Sequence, residues 1–187
     1  MNVELDLLTN EQIYQRVMRE EIPSARVSLV VVTALIKQTR IESTDGIVPY
    51  CEMLDRLVRR GVKVCTLFAG KPSKPFMDSL AKFPQLLSLA AWRLCPRTHL
   101  KAVIVDGKRL YLGSANLTGA GLGMKGKSKR NFETGILTKD PRLVSAVAAE
   151  VGEIAGGKRC ADCAAKPFCQ REHQAFREAL RVACQQP

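Results

Sequence analysis

A chain of 187 residues with a formal net charge of +11 has room for one compact α/β domain and a small appendage, not for two full domains. Such an excess of lysine and arginine favours polyanionic partners, nucleic acid or an acidic membrane surface. The longest apolar run, Val27 to Ile36, is about half of what a membrane-spanning helix needs, and seven cysteines, an odd number, suit a reducing compartment better than a disulfide framework.

The first 21 residues are too polar and too acidic for a secretory or organellar leader, so a cytoplasmic location is expected. Thr9 to Glu21 carries an amphipathic helical pattern, capped by Thr9 or Asn10, with Ile13, Val17 and Ile22 on one face. Val27 to Leu35 is β-branched and apolar throughout, the composition of a strand buried on both faces. Thr33 to Ser43 follows as a loop in which Lys37 and Arg40 could meet a phosphate backbone. Pro49 to Arg60 reads as a helix stopped by Gly61, and Val62 to Phe68 as a second buried strand. The three together form a βαβ unit, which implies a parallel strand pair. A turn-rich loop over Gly70 to Pro75, a short helix reaching Phe83 and a strand over Ser88 to Leu94 come next.

Residues 99–116, HLKAVIVDGKRLYLGSAN, carry the chemistry. His99 and Lys101 are two apart, so on a strand they leave the same face. Asp106-Gly107 is a hairpin-turn pair, and the return strand, Arg109 to Gly113, brings Ser114 and Asn116 back toward His99. Lys101 and Asn116 would hold a tetrahedral anion there for attack by the imidazole. Beyond this, Thr118 to Gly123 is a flexible connection, and Lys125, Lys127, Lys129 and Arg130 cluster as candidates for gripping a nucleic-acid backbone. Asn131 to Thr138 is the last strand, and Pro141 to Ile154 a helix with proline in its first turn.

At these residues the chain resembles the phospholipase D superfamily, whose signature is H-x-K-x4-D-x6-G-S-x-N; His99, Lys101, Asp106, Gly113, Ser114 and Asn116 supply it, and Asn131-Phe132-Glu133 supplies the downstream N-x-E. The resemblance, which covers roughly residues 25–140, implies a phospholipase D-like α/β fold, a mixed, mostly parallel sheet flanked by helices, and residues 1–157 are expected to form that domain. It further implies a catalytic set of His99, Lys101, Asp106, Ser114, Asn116 and Glu133. His99 would form a phosphohistidine, and Ser114 and Glu133 would fix its tautomer. Asp106 would serve in the turn and in positioning. A second histidine must protonate the leaving oxygen, and with one copy of the motif the likeness to single-motif nucleases implies a homodimer. No divalent metal is required by that chemistry. The expected function is therefore metal-independent phosphodiesterase, most simply an endonuclease acting on DNA. Two alternatives remain: a phospholipase or phosphatidyltransferase, and a non-catalytic nucleic-acid-binding redox sensor.

After Gly156-Gly157 the character changes, and residues 158–187 read as a cysteine-rich metal-binding appendage. Cys160, Cys163 and Cys169 form C-x2-C-x5-C, with Cys184 as the natural fourth ligand and Cys51, Cys65 or Cys95 as substitutes. The spacing resembles the [4Fe–4S] segments of endonuclease-III-type glycosylases and RecB-like nucleases. Zinc competes, because Cys160, Cys163, Cys169 and His173 also form a three-cysteine, one-histidine set.

Overall fold

The computed structural model describes residues 3–43 and 46–184, with side chains through Arg181. Nine strands and six α-helices alternate along it: β1 (Leu5–Thr9), α1 (Glu11–Ile13), β2 (Ser28–Thr33), β3 (Arg40–Ser43), β4 (Gly46–Pro49), α2 (Tyr50–Arg59), β5 (Lys63–Phe68), α3 (Lys74–Leu80), α4 (Pro84–Leu89), β6 (Ala91–Leu94), β7 (Ala102–Val105), β8 (Arg109–Gly113), β9 (Thr134–Thr138), α5 (Pro141–Ala155) and α6 (Lys166–Cys184). Seven strands form one sheet in the order β1-β9-β8-β7-β2-β5-β6, and β3-β4 is a separate hairpin.

The expected α/β architecture, a mixed sheet flanked by helices, is the one observed. Parallel pairing is confined to β2-β5 and β5-β6, and β1-β9, β9-β8, β8-β7 and β7-β2 are antiparallel. The parallel share is thus smaller than expected, because only the helical crossovers, α2 between β2 and β5 and α3-α4 between β5 and β6, produce parallel neighbours. Both faces of the sheet are covered. Leu29, Val31, Val103 and Val105 point into a large core with α1, α2, α3, α4 and α6, and Val32, Ala102 and Ile104 point into a smaller one beneath Val144 and Val151 of α5. That two-sided burial explains why β2 and β7 are continuous apolar runs.

Several boundaries depart from the sequence reading. The first helix is α-helical only over Glu11–Ile13 and continues as a π-helix over Tyr14–Glu21. Its five-residue step, with the Ile22 N–H donating to the Val17 carbonyl at 3.0 Å, brings Val17 and Ile22 to the same buried face. Residues 84–89, partly assigned to a strand, form α4, with Pro84 in its first turn. Strand β1 and the β3-β4 hairpin are additional elements.

The cysteine-rich segment runs into α6, which lies along edge strand β6. The Cys169 Sγ reaches the Leu94 carbonyl at 3.2 Å, and the His173 Nε2 lies 3.1 Å from both the N–H and the carbonyl oxygen of Leu94. These contacts cover backbone groups that an edge strand would otherwise expose. Phe176 is buried against Phe68 and Trp92, with ring centroids 5.2 and 6.4 Å away. Among the described residues, no helix is long and apolar enough to cross a membrane.

Candidate active site

The site lies at one edge of the sheet, where β2, β8 and β1 end and β7 and β9 begin, a place where α/β sheets present ligand-binding loops. His99 and Lys101 immediately precede β7 rather than lying within it, but the ladder reaches them through the Gly113 N–H, which donates to the Lys101 carbonyl at 3.0 Å. His99 is exposed and Lys101 is buried. The Lys101 Nζ donates to the His99 carbonyl at 2.8 Å and stands 3.2 and 3.3 Å from the two ring nitrogens. Burial pushes the Lys101 ammonium below its ordinary range, and the negative charge of Glu133 opposes that shift.

Asn116 is oriented by its acceptor. Its Oδ1 receives the N–H groups of Ala34 at 3.1 Å and Leu35 at 3.0 Å and lies 3.3 Å from the Thr33 Oγ1. Because donors surround Oδ1, Nδ2 is turned the other way and can donate to a non-bridging phosphate oxygen. Thr33 is itself fixed: its hydroxyl donates to the Leu35 carbonyl at 2.7 Å and accepts from the Leu117 N–H at 3.0 Å. The second strand of the site is held just as closely. Ser114 donates to a carboxylate oxygen of Glu133, whose other oxygen accepts from the Asn131 Nδ2 at 3.0 Å. Asn10 clasps the Glu133 backbone from both sides, receiving its N–H on Oδ1 at 3.1 Å and donating its own N–H to the carbonyl at 2.9 Å.

Gly113 and Gly135 face each other across β8-β9, and the ring of Tyr111 lies over both. A Cβ on Gly113 would meet the Tyr111 hydroxyl, the Thr134 carbonyl oxygen at 2.7 Å and the Gly135 Cα at 2.8 Å. The glycine before Ser114 is therefore required by close approach. Burial, with the Glu133 charge adding to it, pushes the Tyr111 phenol up to about 12.

Five of the six expected catalytic residues, His99, Lys101, Ser114, Asn116 and Glu133, are gathered here. Asp106 is not. It sits at the opposite end of β7, about 20 Å of extended chain from His99, and its carboxylate accepts the N–H groups of Arg26, Val27 and Ser28 at 2.8–3.2 Å. Burial alone would raise its pKa, but those bonds and the charge of Arg109 hold it below the usual carboxylate range. Asp106 also adopts a positive φ of 55° in the turn, so it staples the β7-β8 hairpin to the start of β2. The expected contact of Ser114 and Glu133 with the imidazole is replaced by their contact with each other. Asn10 and Thr33 were not foreseen; a polar residue ending the apolar run of β2 was the available signal for Thr33.

The basic loop is anchored rather than free. Leu122 is buried, the Asn131 N–H donates to the Ala120 carbonyl at 3.2 Å, and Arg130 pairs with Glu11. Lys125, Lys127 and Lys129 remain exposed, and Phe132, next to Glu133, is 98% exposed.

Sequence and fold comparisons agree with this geometry. The family model described as "Cardiolipin synthase, PLD-like domain" matches residues 18–154, most of the chain. The chain belongs to the phospholipase D superfamily. Among solved structures this phospholipase D-like chain is similar to NucT from Helicobacter pylori, with a TM-score of 0.59 and 17% identity over 82% of this chain and 96% of that one. It is also similar to Nuc from Salmonella typhimurium, described as a phospholipase D family member, with a TM-score of 0.55 and 18% identity over 81% and 94% of the two chains. TrmBL2, an archaeal chromatin protein described as having a novel mode of DNA binding, matches at a TM-score of 0.55 and 16% identity, over 80% of this chain and 50% of its own. At these identities the likeness is one of fold. A search of curated protein sequences finds no match.

The cysteines lie beside this site. Cys95, Cys160, Cys163 and Cys169 all line a cavity of about 910 Å3 that touches the five gathered residues only at His99. Burial, and the neighbouring sulfurs of Cys95, Cys160 and Cys163, push the Cys169 thiol up. Arg97, with an Nη1 3.6 Å from the Cys163 sulfur, holds that thiol down. As placed, no three described His, Cys, Asp or Glu side chains grip a single ion. His173 is committed to the Leu94 backbone. The side chain of Cys184 lies outside the described residues, but its helix position is informative: fifteen residues beyond Cys169 at 1.5 Å each puts the two about 22 Å apart. Cys51 is fully buried in the core, and burial pushes its thiol up to about 12.

Proposed function

We infer that this chain is a phosphodiesterase that cleaves nucleic acid, DNA in the first instance, through a phosphohistidine on His99. The observation that carries this reading is the buried Lys101 ammonium set against an exposed His99 ring, with the Asn116 amide oriented by backbone donors. A phosphate diester seated there would have its non-bridging oxygens held by Lys101 Nζ and Asn116 Nδ2, where negative charge grows in the transition state. One imidazole nitrogen attacks phosphorus as the bond to the leaving oxygen breaks, and that oxygen takes a proton from a second imidazolium. Water then attacks the phosphorus–nitrogen bond, gives its proton to the second imidazole, and releases a phosphate monoester and free His99.

The chain holds two histidines, and His173 is bound to the Leu94 backbone. The second imidazole is therefore assigned to the partner subunit's His99 in a two-fold homodimer. Nucleic acid is favoured over phospholipid by the surroundings: exposed Lys125, Lys127 and Lys129 suit a phosphodiester backbone, and exposed Phe132 offers a stacking platform for a base. An archaeal chromatin protein described as showing a novel mode of DNA binding shares this fold over half of its chain, which lends support to that choice. None of these steps calls on a divalent cation. Incubation with plasmid, single-stranded DNA, RNA and anionic phospholipid vesicles, each with and without EDTA, tests the reading. Cleavage of nucleic acid that survives EDTA and is abolished in His99→Ala is expected. Turnover of phospholipid alone, or cleavage retained by His99→Ala, contradicts it.

A further inference from the structure

Between the C-terminal end of α5, the loop joining β6 to β7, and the first turn of α6 lies the cavity of about 910 Å3. Four cysteines line it from three segments: Cys95 at the end of β6, Cys160 and Cys163 in the turns after α5, and Cys169 in the first turn of α6. The remaining wall is mixed: Leu94, Leu100 and Ile154 are apolar, Arg97, Lys158 and Lys166 are cationic, and Asp162 is acidic. Arg97 already reaches the Cys163 sulfur, at 3.6 Å. Arg159, also in the wall, is neutralised by Glu150 and Glu153, both at 2.8 Å.

We propose that this cavity is the seat of a four-thiolate iron–sulfur cluster, with Cys95 completing the set begun by Cys160, Cys163 and Cys169, and with Cys184 taking no part. Three physical points carry it. Cys184 ends α6, about 22 Å along a rigid helix from Cys169, whereas Cys95 borders the same void as the other three. Second, the four cysteines border a common cavity, and no three of the described His, Cys, Asp or Glu side chains converge on a single ion. A tetrahedral zinc site with bonds of about 2.3 Å draws its sulfurs to within about 3.8 Å of one another and leaves no room between them. A cubane of irons and sulfides is larger than a single ion and sets its thiolates farther apart, and a cavity of about 910 Å3 has room for it. Third, a cluster with four thiolate ligands is anionic, and the exposed cations Arg97, Lys158 and Lys166 outnumber Asp162, the carboxylate that shares the wall with them, while Glu150 is already paired with Arg159. Coordination through Cys95 would also tether the loop that carries His99, which lies four residues further on and shares the cavity wall. The cluster then acts as a structural clamp on the nucleophile's loop. The proposal stands independently of the phosphodiesterase reading, because its readouts are metal content and thiol protection.

The full chain, produced with iron and sulfide available and purified without oxygen, is assayed for iron, zinc, acid-labile sulfide and visible absorption. About four irons and four sulfides per chain are expected, with a brown visible band. Cys95→Ser should lose at least nine-tenths of the iron, and Cys184→Ser and Cys65→Ser should keep it. To guard against a Cys95→Ser protein that fails to fold, thiol alkylation of the unmutated chain is read by mass spectrometry before and after the metal is stripped. Cys95, Cys160, Cys163 and Cys169 should be protected until stripping, and Cys184 labelled equally in both states. Stoichiometric zinc without iron, neither metal, protection of Cys184, or equal labelling of Cys95 in both states would each overturn the proposal.

Discussion

Replacing Asp106 separates a structural role from a catalytic one more cleanly than any other change. Its carboxylate accepts the backbone N–H groups of Arg26, Val27 and Ser28, at the far end of β7 from His99. In Asp106→Ala all three donors lose a charged acceptor. Water reaches this partly exposed turn, so each loss costs about 0.5–1 kcal/mol rather than the full price of a buried orphan. Alanine at a φ of 55° adds about 1 kcal/mol of backbone strain. The sum, about 3 kcal/mol, lowers the melting temperature by about 6–12 °C for a domain of this size. Asp106→Asn keeps one acceptor oxygen and tolerates the left-handed turn, and should cost about 1 kcal/mol. Because the folded-state pKa of Asp106 is depressed, its contribution is present in full above the unfolded value of about 3.9 and is lost as the pH falls through the folded value. The gap in melting temperature between the native chain and Asp106→Asn is therefore widest at neutral pH and closes in acid. Thermal unfolding by circular dichroism across pH, paired with phosphodiesterase turnover per folded molecule at 25 °C, reads both effects. Turnover lost by orders of magnitude with the melting temperature unchanged would refute the assignment.

Phe132 is almost fully exposed beside Glu133, so Phe132→Ala should leave thermal unfolding unchanged while weakening binding of a single-stranded oligonucleotide about 5- to 150-fold by fluorescence anisotropy. An unchanged Kd would remove its stacking role. Changing Lys125, Lys127 and Lys129 together to Ala should reduce the slope of log affinity against log salt on duplex DNA by about 2.7; an unaltered slope places the phosphate contacts elsewhere. Gly113→Ala drives a Cβ into the Thr134 carbonyl and the Gly135 Cα and should cost about 1–3 kcal/mol in denaturant unfolding, with loss of turnover as Ser114 shifts. Native stability in that variant would contradict the close packing.

The parts legible in the sequence were those with a strong local or two-sided pattern. β2, β5 and β7 are apolar on both faces, and the Asp106-Gly107 turn fixed the hairpin, so the elements that present His99 and Asn116 followed directly. β1 escaped notice because only Leu8 of its five residues is buried; it is an edge strand held by pairing with β9, a partner more than 120 residues away. The β3-β4 hairpin buries Ile41 and Val48 on one face and is too short to stand out from a loop. Spacing brought together five of the side chains expected in the site and left Asp106 in the hairpin turn, the place the Asp-Gly pair had indicated, while its bonds to the start of β2 lay beyond any local pattern. The cysteine spacing named Cys160, Cys163 and Cys169, with Cys184 as the natural fourth ligand and Cys95 among its substitutes; that Cys95 borders the same cavity as those three follows only from the docking of α6 on β6. Asn10 and Thr33 act through single hydrogen bonds across the fold, which no local pattern encodes.

The central assignment is a covalent intermediate on His99. The chain is mixed with a labelled oligonucleotide, quenched in alkali within the first turnover to preserve the phosphorus–nitrogen bond, and digested for mass spectrometry. A phosphoryl adduct on the peptide carrying His99, chased away by further incubation and missing from His99→Asn, is the predicted result. Cleavage proceeding at full rate with that peptide unmodified, or with the adduct on another side chain, would contradict it.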